Sequence, residues 1–175
     1  MRFFWFLLLL LAGCSTVPPK STSPDTLFDI SGRIAVKYGN DGFYGNLHWI
    51  HGKHSDEVWL LTPLGQTVAH IQSRPGSASL TDRHQNEYRA QDVERLTEKI
   101  LGWRLPLEGL DSWVKGEASE HSAFVVTYDA AHRVAMLRQD GWEIRYARRF
   151  ENGSPKVVML ERQDIVIKFV IDADS

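Results

Sequence analysis

Much of what would equip this chain for metal, redox or nucleic-acid work is missing. A single cysteine, Cys14, excludes a disulfide framework and a thiolate-only zinc site. Lys and Arg number 20 against 22 Asp and Glu, so there is no basic excess to neutralise phosphates, and nucleic acid is not an expected partner. No apolar run approaches the roughly 20 residues that a membrane-spanning helix requires. Gly-x-Ser-x-Gly, phosphate-loop and His-Glu-x-x-His motifs are all absent, and scattered carboxylates such as Glu57, Glu87 and Asp92 offer no specific acid/base pairing. No catalytic residue can be assigned and an enzyme is not expected. His48, His51 and His54 stand three apart, but a strand sends His48 and His51 to opposite faces and Gly52 opposes the helix that would align them. Neither a metal site nor a cofactor is expected.

What remains is an ordinary soluble composition with an unusual start. Of 175 residues, 43% are apolar and 24% charged, which suits one well-buried domain and excludes wholesale disorder. Met1-Arg2 precedes an apolar run from Phe3 to Leu11, too short to span a bilayer and of the form of a secretory signal. Leu11-Ala12-Gly13-Cys14 then resembles the bacterial lipobox, whose cysteine is acylated and becomes the first mature residue. Only a thiolate is nucleophilic enough among side chains for that thioether. Residues 1–13 are thus expected to be removed and Cys14 to carry the lipid. Ser15, where inner-membrane lipoproteins have aspartate, implies the periplasmic face of the outer membrane.

Residues 14–26 form the lipidated cysteine and a tether rich in Ser, Thr and Pro, followed by a single domain over 27–175. Fully extended, Ser15 to Asp25 would reach roughly 36 Å at about 3.3 Å per residue. Loss of Arg2 with the signal makes the mature chain slightly more acidic. Its net charge gives no attraction to anionic lipid, so membrane contact is expected from acyl chains and apolar side chains.

From Leu27 the apolar residues alternate in pairs of runs joined by turn residues, beginning with Ile34 to Tyr38, Gly39-Asn40-Asp41-Gly42 and Phe43 to Ile50. About ten such strands in an antiparallel meander are predicted. The period changes in the middle. Asp92 can cap a helix carrying Val93, Leu96 and Ile100, stopped by Gly102, and Pro106 can begin another carrying Leu107, Leu110, Trp113 and Val114, stopped by Gly116. The predicted fold is mainly β, an incomplete antiparallel barrel with a helical hairpin as lid. Trp49, Trp59, Trp103, Trp113 and Trp142 either fill an aromatic core or wall a ligand cavity, and periodicity does not separate the two. Thr62-Pro63-Leu64-Gly65 suits a type I turn with Leu64 at an uncovered tip.

Several stretches together are similar to the LolB family of outer-membrane lipoprotein receptors: Ser31-Gly32-Arg33-Ile34-Ala35-Val36, Leu60 to Gly65, Leu101-Gly102, Pro106-Leu107, Leu110, Trp113 to Gly116 and Gly141-Trp142. The resemblance, from about Leu27 to Phe169, implies an apolar cavity under the lid. It also implies acceptance of acylated lipoprotein cargo from the soluble carrier LolA and insertion into outer-membrane lipid, without nucleotide or metal, by a monomer. By motif match Pro63, Leu64 and Gly65 form the membrane-insertion loop. The cavity-lining set would be Ile34, Val36, Phe43, Leu47, Trp49, Leu96, Ile100, Trp113, Trp142, Ile144 and Tyr146. The family's amphipathic helix before the first strand has only Pro24 to Ile30 available here, so part of the cavity cover is expected to be missing. The alternative function is a structural or assembly lipoprotein that grips an outer-membrane protein.

Overall fold

A computed structural model of the chain describes residues 24–172. Cys14, the signal and most of the tether lie outside them. Eleven strands and two helices follow in the order β1 (Thr26–Tyr38), β2 (Asp41–Gly52), β3 (Asp56–Leu61), β4 (Thr67–Arg74), β5 (Ser77–Asp82), β6 (Glu87–Ala90), α1 (Val93–Leu101), α2 (Leu107–Trp113), β7 (Phe124–Tyr128), β8 (Val134–Gln139), β9 (Trp142–Arg149), β10 (Pro155–Arg162) and β11 (Ile165–Ile171). Pro24 to Ile30 supplies no helix: the first strand begins at Thr26.

All strands join one antiparallel sheet in the order β6-β5-β4-β3-β2-β1-β11-β10-β9-β8-β7. The chain's first and last strands meet in the middle, with Ile34 opposite Phe169 and Val36 opposite Ile167. The helical segment splits the meander into two halves, and its flanking strands β6 and β7 become the two free edges. The sheet curls without closing, and the helices sit across its concave side. Alternation sends Ile34 and Val36 inward and Arg33 and Lys37 outward along β1, as period two requires.

Both helices end as their residues demand. Asp92 accepts the Arg95 backbone N–H at 2.8 Å, and Gly102 closes α1 in the left-handed region at φ 83°. The apolar side of α1 packs on β5 and β6. Thr97, wholly buried, donates to the Val93 carbonyl at 2.9 Å and accepts the Leu105 N–H at 3.0 Å, which fixes the segment between the helices against α1. Leu107, Leu110, Trp113 and Val114 are all buried on the sheet side of α2 and the residue that follows it.

Candidate functional site

The concave face is one continuous apolar surface. Ile34, Val36, Leu47, Trp49, Leu96, Trp113, Trp142 and Ile144 belong to a single buried cluster, and Phe43, Ile100 and Tyr146 pack against it half-buried. The structure therefore brings the whole predicted set together. It also fills the space between them. Trp49, Trp103, Trp113 and Trp142 are each 1–2% exposed, and the void between sheet and α2 measures only ≈ 10 Å³, about the least that admits one water. Of the predicted lining residues, Leu47 and Trp49 border that void, together with Gly32, Leu110, Val114 and Phe169. Gly32 faces inward between Leu47 and Ile171. A Cβ there would run into the Val170 carbonyl oxygen.

The void adjoins a far wider space. An open depression of ≈ 1570 Å³ runs past the first residues of β1, Lys115 and the β9–β10 turn, and it shares Ile30, Ser31, Gly32, Leu47, Val114 and Ile171 with the small void.

Few polar ties hold the lid in place. On one flank Trp113 donates its indole N–H to Gln139 Oε1 at 2.9 Å, and the Tyr146 hydroxyl donates to the Trp113 carbonyl at 3.0 Å. Burial pushes the Tyr146 phenol well above its ordinary value, so it stays a donor. On the other flank Asp56 accepts from Trp49 Nε1 at 2.9 Å and lies 2.7 Å from His51 Nδ1, whose Nε2 stands 4.0 Å from Asp111 of α2. Sequence reasoning missed Gln139. It is 2% exposed, and its amide also accepts from Ser119 N–H at 2.9 Å and donates to the Ser119 and Ser122 carbonyls. A lone glutamine at a strand end carries no signal of that role.

The loop between β3 and β4 is built by turn chemistry alone. Thr62 N–H donates to the Gln66 carbonyl at 2.8 Å, Gly65 N–H to the Thr62 carbonyl at 2.9 Å, and Gly65 takes φ 84°. Three other hairpins, over 82–86, 129–133 and 150–154, repeat the same two hydrogen bonds and the same positive φ. In those loops the residues equivalent to Leu64 are His84, Ala131 and Asn152. The turn thus makes no demand for leucine at its third position. Leu64 is nevertheless there, 90% exposed, the barest of the large apolar side chains among the described residues.

His48 and His51 separate as the period requires. His48 Nε2 lies 2.6 Å from Asp29 Oδ1 on the outer face, while His51 stacks on Phe28 at 4.7 Å beneath the lid. Among the described residues no group of three or more His, Cys, Asp or Glu is placed to hold a metal.

The family model described as "Outer membrane lipoprotein LolB" matches residues 26–173. The chain belongs to the LolB family. It is 34% identical to outer-membrane lipoprotein LolB of Thiobacillus denitrificans over 168 residues, covering 93% of this chain and 90% of that one. The LolB proteins of Nitrosomonas europaea and Pseudomonas paraeruginosa are 34% and 36% identical over 83% and 82% of this chain and 71% and 72% of theirs.

Proposed function

We propose that this LolB-family chain is an outer-membrane receptor that takes acylated lipoproteins from a LolA-type periplasmic carrier and passes them into the membrane. It is held there through a lipidated Cys14, acts as a monomer and uses no nucleotide, metal or cofactor. The observation that carries this reading is a continuous apolar cluster on the concave face, roofed by a helix pair that few polar contacts fasten.

The filled interior supports a direction for the transfer. An acyl chain can enter only by lifting α2 and parting Trp113, Leu110 and Val114 from the sheet. Each CH₂ gains about 0.8 kcal/mol on leaving water, so a chain of about 16 carbons offers about 12 kcal/mol against that opening cost. A bilayer takes the same chain with no helix to displace. Receptor to membrane is then downhill without fuel, and a difference of about 1.4 kcal/mol between carrier and receptor is enough for tenfold transfer at the earlier step.

The test is handover. The purified protein is incubated with LolA-bound lipoprotein and the products are separated and weighed by mass spectrometry. The reading expects cargo to move to this chain. Cargo that stays wholly on the carrier contradicts it.

A further inference from the structure

The net charge of −2 hides an uneven distribution. On the outer face of the sheet, Ala35 of β1 is the centre of a cross. Arg33 and Lys37 lie two residues to either side along the strand, Tyr44 of β2 stands directly opposite on one flank and Lys168 of β11 on the other. Strand geometry keeps all four within about 7 Å of Ala35 at the backbone. Their inward neighbours Ile34, Val36, Ile167 and Phe169 are buried, so these side chains face solvent, and Tyr44 is 59% exposed.

None of the three cations is paired with a described residue. Among the described residues no carboxylate lies within ion-pair distance of Arg33, Lys37 or Lys168. The nearest acids by register are Asp172, whose N–H donates to the Ser31 carbonyl beside Arg33 at 2.9 Å, Asp29, which lies 2.6 Å from His48, Asp41 and Asp164 at the hairpin ends, and Glu161, which is held by Arg145 at 3.2 Å. Three free positive charges around a small residue and a phenol make a surface suited to phosphate headgroups: cations for the charge, a tyrosine for the interface.

Two further features favour a membrane over a soluble anion or an acidic protein. Asn46, directly opposite Arg33, donates through Nδ2 to the Thr62 carbonyl at 3.4 Å, so the loop bearing Leu64 is rooted beside this face. The chain enters the domain at the far end of the same strand, with Arg33 seven residues beyond Thr26, about 23 Å at about 3.3 Å per residue. A tether with a reach of about 36 Å lets the lipid anchor and Leu64 touch one bilayer together if β1 lies along it. We propose that the outer face of β1, β2 and β11 around Ala35 rests on anionic phospholipid, so that the domain lies on its side at the membrane. This rests on the membrane-anchored reading above but not on cargo transfer.

The test uses the anchored full-length protein in vesicles of phosphatidylcholine, with and without phosphatidylglycerol, and follows lysine acetylation by mass spectrometry. Lys37 and Lys168 are expected to react about fivefold more slowly on the anionic vesicles at low salt. High salt is expected to abolish the difference, and Lys99 on α1 to show none. Equal reactivity on both vesicles overturns the proposal. Protection by inorganic phosphate alone overturns it in favour of a small-anion site, and protection by the carrier but not by lipid in favour of protein docking. A protein with Arg33→Gln, Lys37→Gln and Lys168→Gln, and unchanged unfolding, is expected to lose any stimulation of cargo insertion by phosphatidylglycerol and to keep insertion into neutral vesicles. If the unmodified protein transfers no cargo while its lysines are protected, the receptor reading falls and this one stands.

Discussion

The indole N–H of Trp113 meets the side-chain carbonyl of Gln139 at 2.9 Å, and both residues are buried. This contact ties the end of α2 to the end of β8, and the same amide holds the segment that leads into β7. One side chain thus secures the lid and the approach to a free edge. Its removal leaves two buried N–H donors without an acceptor.

Gln139→Ala is accordingly expected to cost about 2–6 kcal/mol, since each of the two orphaned buried donors costs about 1–3 kcal/mol. Urea unfolding measures the total. Hydrogen exchange is expected to show the loss first in α2, with β1 and β11 protected as before.

Leu64 makes no demand on the fold. Leu64→Glu is expected to change stability by less than about 0.5 kcal/mol and to leave cargo acceptance intact. Delivery into liposomes is expected to fall about tenfold or more, because burying a leucine is worth about 1.5–3 kcal/mol at the contact it makes. Insertion rates equal to those of the unmodified protein in a liposome transfer assay would remove the loop from the mechanism.

Leu110 borders the interior void and is 1% exposed. Leu110→Ala is expected to cost about 2–5 kcal/mol through lost packing and the enlarged cavity. If acyl chains enter beneath α2, the same change should tighten binding of a fluorescent fatty acid, measured by titration, because part of the opening cost is already met. Weaker binding in a still-folded variant would place the entry elsewhere.

Glu94 tests an electrostatic detail of α1. Burial raises its carboxyl above the ordinary value of 4.5, and Arg162 at 3.5 Å offsets this only in part. A carboxyl raised on folding binds its proton more readily in the native state, so its contribution is fully present below the ordinary value and lost as pH rises through the folded one. Glu94→Gln is therefore expected to unfold at higher temperature than the parent at pH 7, with the gain shrinking as pH falls through the raised folded value toward 4.5 and absent below it. A gain that persists unchanged at low pH would assign it to something other than ionisation.

The hairpins and the helical pair were legible because their signals are local. Alternation marks β1 and β2, and Asp92, Gly102 and Gly116 mark helix ends, each by a conformation that a single residue type favours. Leu64 was legible as an oddity for the same reason, a turn whose chemistry leaves its third position free. The β1–β11 pairing was not, because it joins residues more than 120 apart that carry no turn between them. Gln139 gains its role only when the segment from Glu117 to Ala123 folds over it. The degree of filling depends on how four tryptophans interlock, which residue spacing does not encode. The basic cross around Ala35 needs three strands in register before its charges become neighbours.

On the proposed function, acyl chains lodge between the sheet and α2. A lipopeptide with brominated acyl chains, added to the purified protein, reports this through tryptophan quenching: Trp49 and Trp113 face the interior, while Trp59 stacks between His48 and His70 on the outer face. Measured in variants that keep one tryptophan at a time, saturable quenching of Trp49 and Trp113 with Trp59 unaffected is the expected result. Quenching of Trp59 alone, or of none at saturating lipopeptide, would contradict the account.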